Sequence, residues 1–387
     1  MSEAIERFQI HVDDSVLEDL RSRLARTRFP DQIEGTGWEF GIPMRYLREL
    51  VDYWRDKYDW RAQEARLNEL PHFRTVIDSQ SIHFVHARSR HADAFPLLLM
   101  HGWPGSIVEF LDVLPGLTDP EVHGGRADDA FHVVAPSLPG YGLSGPTRSR
   151  GWDVRRVARA FIELMRRLGY TRYGAQGGDW GAQLATRIGS LDAEHCAAIH
   201  VNMPVAGRPE NPGPLDDEEK ADLGAMARFQ REESGYALEQ ATKPQTLGMA
   251  LNDSPAGLLA WIVEKFRTWS DCRGDSENSY PRDHLITNVM LYWVTQTITS
   301  SARLYWESKH SGLWEEAPAF VGVPTGVARY PKEEVLRFPR SWVERYYNVT
   351  HWAVMPRGGH FAAMEQPALF LEDLRNFFRT VRRGGSA

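Results

Sequence analysis

The stretch that most restricts how this chain can fold is Gly177-Gly178-Asp179-Trp180-Gly181. Before it, Thr171–Ala175 reads as a short strand; after it, Ala182–Ile188 has the apolar spacing of a helix. A strand that turns sharply into a helix, with small residues two before and two after a central reactive side chain, is a nucleophile elbow. Such a turn is strained and its flanking backbones pass close together, which calls for glycine. Serine usually occupies the centre. Here the centre is Asp179, and no Gly-x-Ser-x-Gly occurs in the chain.

That exchange changes the chemistry. A carboxylate is ionised at pH 7 and needs no base to become nucleophilic. It can attack a saturated carbon that carries a strained or good leaving group, leaving an ester for an activated water to cleave. The plainer alternative is an aspartate capping a helix N-terminus, so the reading depends on partners elsewhere in the chain.

Size and charge narrow the choice. With 387 residues the chain exceeds one average domain, and a main domain with additions is expected. A net charge of −7 argues against nucleic acid or an anionic membrane as partner. Two cysteines, Cys196 and Cys272, make neither a disulfide framework nor a metal-binding spacing, and a reducing cytoplasm is the expected compartment. The first residues have no apolar core for a signal peptide, and no 18-residue apolar run follows, so no membrane anchor is expected.

Taken in order, the chain opens with a helical lead-in. Ser15–Arg26 reads as an amphipathic helix with a Ser15/Glu18 capping box, and Pro43 starts a second helix. His72–Asp78 and Ser81–Ala87 read as a hairpin around Ser79-Gln80. Phe95–Met100 is a buried-strand run that delivers His101-Gly-Trp-Pro-Gly-Ser106, a rigid loop suited to presenting the Trp103 N–H to an oxyanion. Phe131–Ala135 is the next buried strand. The Gly140, Gly142 and Gly145 that follow spell Gly-x-Gly-x-x-Gly, but they lie among Pro136, Pro139 and Pro146 rather than on a strand-to-helix turn, so a dinucleotide site is rejected. Val154–Gly169 is amphipathic, and Ala197–Met203 is a strand. From about 205 to 315 the pattern is helical, which reads as an inserted lid. Strands resume at Ala319–Pro324 and Thr350–Met355, and a helix at 367–383 ends the pattern. The expected division is 1–90 lead-in, 91–204 first part of the core, 205–315 cap and 316–387 second part of the core.

His360 follows a strand and Gly358-Gly359, where a base would sit; the acid should end the preceding strand, where Glu333 and Glu334 are the acidic residues. Nucleophile, acid and histidine in that chain order belong to the α/β-hydrolase fold, here with an inserted helical lid and an N-terminal lead-in.

At this point the residues resemble a family. Thr27–Asp31, Trp38–Gly41, His101–Pro104, Gly177–Gly181, Glu233–Tyr236, Ala250–Pro255, Thr287–Trp293, Val323–Gly326 and Arg357–Phe361 are together similar to the microsomal-type epoxide hydrolases, over nearly the whole chain. The resemblance implies that Asp179 is the nucleophile and His360 the base. It selects Glu333 over Glu334 as the acid. It makes Tyr236 and Tyr305 the lid tyrosines that bind the epoxide oxygen, gives the oxyanion hole to the N–H groups of Trp103 and Trp180, and implies a cis Trp103–Pro104 bond. Implied partners are an apolar epoxide, aromatic or bulky, and water. No cofactor or metal is required, and a homodimer stays open. The rivals are a haloalkane or haloacid dehalogenase, whose halide needs no tyrosine donor, and a non-catalytic ligand receptor of the same fold, which would show a damaged triad.

Overall fold

The computed structural model describes residues 4–314, 316 and 319–383; Glu315, at the expected boundary between cap and core, lies outside the described residues. Among the described residues nine strands form one sheet: β1 (Glu6–Arg7), β2 (His72–Ile77), β3 (Gln80–Ala87), β4 (Phe95–Met100), β5 (Phe131–Pro136), β6 (Tyr173–Gly177), β7 (Cys196–Val201), β8 (Val321–Arg329) and β9 (Tyr347–Val354). Their spatial order is β1-β2-β3-β5-β4-β6-β7-β8-β9. The six strands from β5 to β9 in that order run parallel, and β3, β2 and β1 add on antiparallel.

Burial on both faces explains the apolar runs of β4 and β5, of which Leu97, Leu98, Leu99, Val133 and Val134 are fully buried. Helix Asp179–Leu191 lies on the strands, close enough that a Cβ on Gly189 would meet Ile199 and Val321. Helix Pro367–Arg383 sends Phe378 against Gly174 and Phe377 against Gly326, where side chains would collide with the rings. The chain leaves β4 toward β5 on one side and leaves β6 toward β7 on the other, so the crevice for a ligand opens between the C-terminal ends of β4 and β6.

Several expected boundaries move. Strand β6 starts two residues later and runs to Gly177, because its pairing with β4 continues to Met100↔Gly177. Strands β8 and β9 extend to Arg329 and back to Tyr347, held by mutual pairing along segments that lack an apolar run. The hairpin turns at Asp78-Ser79, both with positive φ (52° and 62°) as a tight two-residue turn requires, one residue before the expected place. The Ser15/Glu18 capping box does not form. The first helix begins at Asp14 with Asp13 as its cap residue, and the Val12 N–H ahead of it donates to Glu64 Oε1 at 2.7 Å, which anchors the chain as it enters the helix.

Between β7 and β8 the regular elements are helical, including Asp217–Glu232, Gly235–Thr242, Pro255–Thr268, Arg282–Thr295 and Ile298–His310. The lead-in helices clamp this insertion. Tyr46 pairs with Ser276 (2.6 Å), the Tyr53 hydroxyl donates to Asp283 (2.7 Å), and Tyr58 pairs with Thr287 (2.9 Å).

Candidate active site

The elbow forms as its glycines demand. Asp179 has φ 49°, a conformation that costs a non-glycine residue strain. A Cβ on Gly177 would lie 2.2 Å from the Gly181 carbonyl carbon, and one on Gly181 would lie 2.1 Å from the Met100 oxygen. The turn therefore closes only with glycine at both places, and it lifts the Asp179 carboxylate out of the helix start into the crevice.

Across the crevice, the loop after β4 supplies the first partner: the Trp103 N–H donates to Asp179 Oδ1 at 2.8 Å. That loop is held by the helical insertion. Asn288 donates to the Pro104 carbonyl (2.8 Å) and accepts from Ser106 (2.7 Å), while the Tyr292 hydroxyl donates to the Gly105 carbonyl (2.7 Å). The Trp103–Pro104 peptide is cis. Trp180 is the second residue of helix Asp179–Leu191, so its N–H falls in the first turn, where no intrahelical carbonyl is in reach.

The loop after β9 places His360 with Nε2 3.4 Å from Asp179 Oδ2 and Nδ1 donating to Glu333 Oε2 at 2.7 Å. Glu333 is buried, its second oxygen accepts the Val335 N–H, and the Arg337 guanidinium holds its loop by donating to the carbonyls of Tyr330, Pro331 and Glu333. Glu334 instead faces outward to Arg228 at 3.1 Å. Burial disfavours a charged His360, but Glu333 and Asp179 outweigh it and hold the imidazole pKa well above its ordinary value.

Tyr236 and Tyr305 arrive from helices Gly235–Thr242 and Ile298–His310, with ring centroids 6.0 Å apart. Trp103 stacks on Tyr236 at 5.2 Å and meets Tyr305 edge-on at 5.9 Å; Trp180 meets Tyr305 edge-on at 4.7 Å. Burial first, and the Asp179 charge as well, push both hydroxyls well above the usual tyrosine range, so both are protonated donors. The expected residues Asp179, His360, Glu333, Tyr236, Tyr305, Trp103 and Trp180 thus share one site.

Known proteins resemble this arrangement from end to end. Residues 5–110 match the family described as epoxide hydrolase N terminus, and residues 96–314 match the alpha/beta hydrolase fold. A Stigmatella aurantiaca protein whose name marks it provisionally as an epoxide hydrolase is 48% identical over 97% of this chain and 85% of its own. Epoxide hydrolase 1 of Sus scrofa is 38% identical over 97% of this chain and 88% of its own. The chain belongs to the epoxide hydrolases. Among solved members of the family, the juvenile hormone epoxide hydrolase of the silkworm Bombyx mori superposes with a TM-score of 0.90 at 34% identity, covering 100% of this chain and 96% of that one. The Aspergillus niger epoxide hydrolase gives 0.87 at 34% identity, covering 98% and 97%. Among the described residues no helix is long and apolar enough to cross a membrane.

Beside these, the epoxide hydrolase site holds Trp269 and two glutamates, of which the pattern of the sequence did not disclose the glutamates. Trp269 packs its ring 5.0 Å from His360, and its carbonyl accepts the His360 N–H at 2.9 Å. Glu365 accepts the N–H groups of Asp271 (2.8 Å) and Phe361 (3.0 Å), tying the histidine loop to the helical insertion, and burial lifts its carboxyl to about 7. Glu109 is partly exposed as a residue, but its carboxyl end is desolvated beside the loop after β4 and is lifted to about 8. Neither glutamate belongs to a motif with a fixed spacing from Asp179, so no sequence signal marks them.

Proposed function

We propose that this chain converts an apolar epoxide, aromatic or bulky, to a vicinal diol through an ester on Asp179. The observation that carries this reading is the division of labour at one carboxylate: Trp103 N–H on Oδ1, His360 beside Oδ2 and Glu333 behind the histidine. With Oδ1 held, Oδ2 attacks a ring carbon and the C–O bond breaks toward oxygen. Tyr236 and Tyr305 donate to that oxygen as its charge develops, and one of them supplies its proton. The aromatic walls support the apolar substrate class: Trp103, Trp180 and Trp269 pack on the two tyrosines, and Trp261 meets Trp103 edge-on.

Ester formation removes the negative charge of Asp179, one of the two charges that favour protonated His360. The imidazolium then gives up its proton, which returns to the tyrosinate left by ring opening, and the neutral imidazole takes a proton from water, which adds to the ester carbonyl. Oδ1 becomes the oxyanion at the Trp103 and Trp180 N–H groups, each donor being worth roughly 3 kcal/mol. Collapse releases the diol with Oδ2 and leaves the water oxygen in the carboxylate. Glu333 keeps Nδ1 protonated and the ring oriented. The two buried free thiols, Cys196 and Cys272, support a cytoplasmic location.

Incubation with styrene oxide and, separately, a chloroalkane tests the reading. Diol from the epoxide alone is expected; chloride release would make the chain a dehalogenase, and turnover of neither substrate would make it a receptor.

A further inference from the structure

One cation lies in the interior of the helical insertion, against a residue that the proposed chemistry uses. Lys265, on helix Pro255–Thr268, is buried, with 7% of its surface exposed. Its Nζ stands over the Tyr236 ring, 5.1 Å from the centroid, and 5.8 Å from the centroid of Trp269. It is held there by Glu264 Oε2 at 2.5 Å, and the other oxygen of Glu264 accepts the Thr268 hydroxyl at 2.8 Å. Glu233, on the turn before Tyr236, also feels the lysine charge.

A long cationic side chain normally carries its head to water. Burying an unpaired ammonium is costly; Glu264 accounts for the burial but not for the direction toward the ring. Both strong influences on the Tyr236 hydroxyl, desolvation and the Asp179 carboxylate, make it a poorer proton donor. A cation over the face of a phenol ring acts in the opposite sense, because it stabilises negative charge that spreads into the ring as the O–H donates.

We propose that Lys265 is a positioning residue for epoxide opening, its ammonium group over the Tyr236 ring holding that ring in place and strengthening its hydroxyl as a donor to the epoxide oxygen. The inference rests on the proposed role of Tyr236 and adds to it a charge that acts through the ring. It predicts an effect on the first step alone, since ester hydrolysis uses His360 and Glu333.

Rapid-quench measurement of ester formation and of ester hydrolysis with styrene oxide tests it, using Lys265→Met and Lys265→Arg in the wild-type and Tyr236→Phe backgrounds. Lys265→Met is expected to slow ester formation about tenfold, to leave ester hydrolysis within about twofold, and to change Tyr236→Phe by less than about twofold. Lys265→Arg should recover most of the rate. Where thermal melting shows that Lys265→Met does not fold, the double variant Lys265→Gln/Glu264→Gln carries the same comparison without an unpaired glutamate. Equal slowing in both tyrosine backgrounds, or slowing of both steps together, overturns the inference, as does wild-type ester formation in Lys265→Met when Tyr236→Phe is slow. Wild-type ester formation in Tyr236→Phe itself overturns the role of the tyrosine, and the inference with it.

Discussion

The backbone N–H of Trp103 donates to Asp179 Oδ1 at 2.8 Å, across the crevice between β4 and β6. A donor of the expected oxyanion hole therefore already rests on the carboxylate, and it distinguishes the two oxygens. One is held by backbone, and the other, Oδ2, stands 3.4 Å from His360.

This distinction predicts the fate of oxygen. In heavy-oxygen water, the first turnover should place oxygen from Asp179 in the diol and solvent oxygen in the enzyme. Label in the single-turnover diol would mean direct attack by water. Asp179→Ala should abolish turnover, because no other carboxylate is aimed from the elbow.

Glu333→Gln should slow ester hydrolysis far more than ester formation, so that the alkyl-enzyme accumulates and shows as a mass shift of intact protein. Glu334→Gln should be nearly silent, since that carboxylate faces Arg228 at the surface. The reverse pattern would assign the acid to Glu334.

The elevated His360 pKa has a sign that can be worked out. Its charged form is favoured in the fold, so the group adds stability below the unfolded value of about 6.5, and that stability is lost as pH rises through the folded value. Glu333 and Asp179 are its two sources. Asp179→Asn, which mimics the charge lost on ester formation, should lower the His360 pKa in an NMR titration. An unchanged value would remove the charge switch from the mechanism.

Tyr236→Phe and Tyr305→Phe should each lower the rate of ester formation, and the double change should nearly stop it. One remaining donor still satisfies the oxygen, whereas none leaves a developing charge in a dry pocket. Rapid-quench rates decide; wild-type rates in both single variants would leave the tyrosines structural and bring back the dehalogenase reading.

Gly102→Ala tests the packing around the nucleophile. A Cβ there would lie 2.2 Å from Asp179 Oδ1. The expected result is a loss of activity of at least about a hundredfold from a displaced carboxylate, with a fall in folding stability of about 1–3 kcal/mol and an unchanged circular dichroism spectrum. Full activity would show that the loop yields easily.

Part of this protein was decided locally and is readable in the chain. The Gly177–Gly181 turn states its own backbone demand, because glycines spaced around a reactive residue have few other uses, and the buried runs of β4 and β5 announce a parallel sheet by composition. The strand and the glycines before His360 marked its place, and the family motifs pointed to Tyr236 and Tyr305. What the residues alone left open was decided by distance across the fold. Glu333 and Glu334 are chemically identical neighbours, and only the turn held by Arg337 sends one to His360 and the other to Arg228. The glycines at 140, 142 and 145, rejected as a dinucleotide site, acquire a place only in three dimensions. All three have positive φ, and their loop seats the helix that carries Tyr305: Ser300 donates to the Gly140 carbonyl at 2.5 Å, and Thr297 accepts the Gly142 N–H at 2.9 Å. Lys265 and Glu365 carry no sequence signal of burial, and only the fold encloses them beside Tyr236 and the His360 loop, as it desolvates the carboxyl end of Glu109. Local sequence sets backbone conformation and apolar periodicity, which are short-range properties. Which charge is desolvated, and what it faces, depends on residues far away in the chain, and only the closed tertiary structure brings them together.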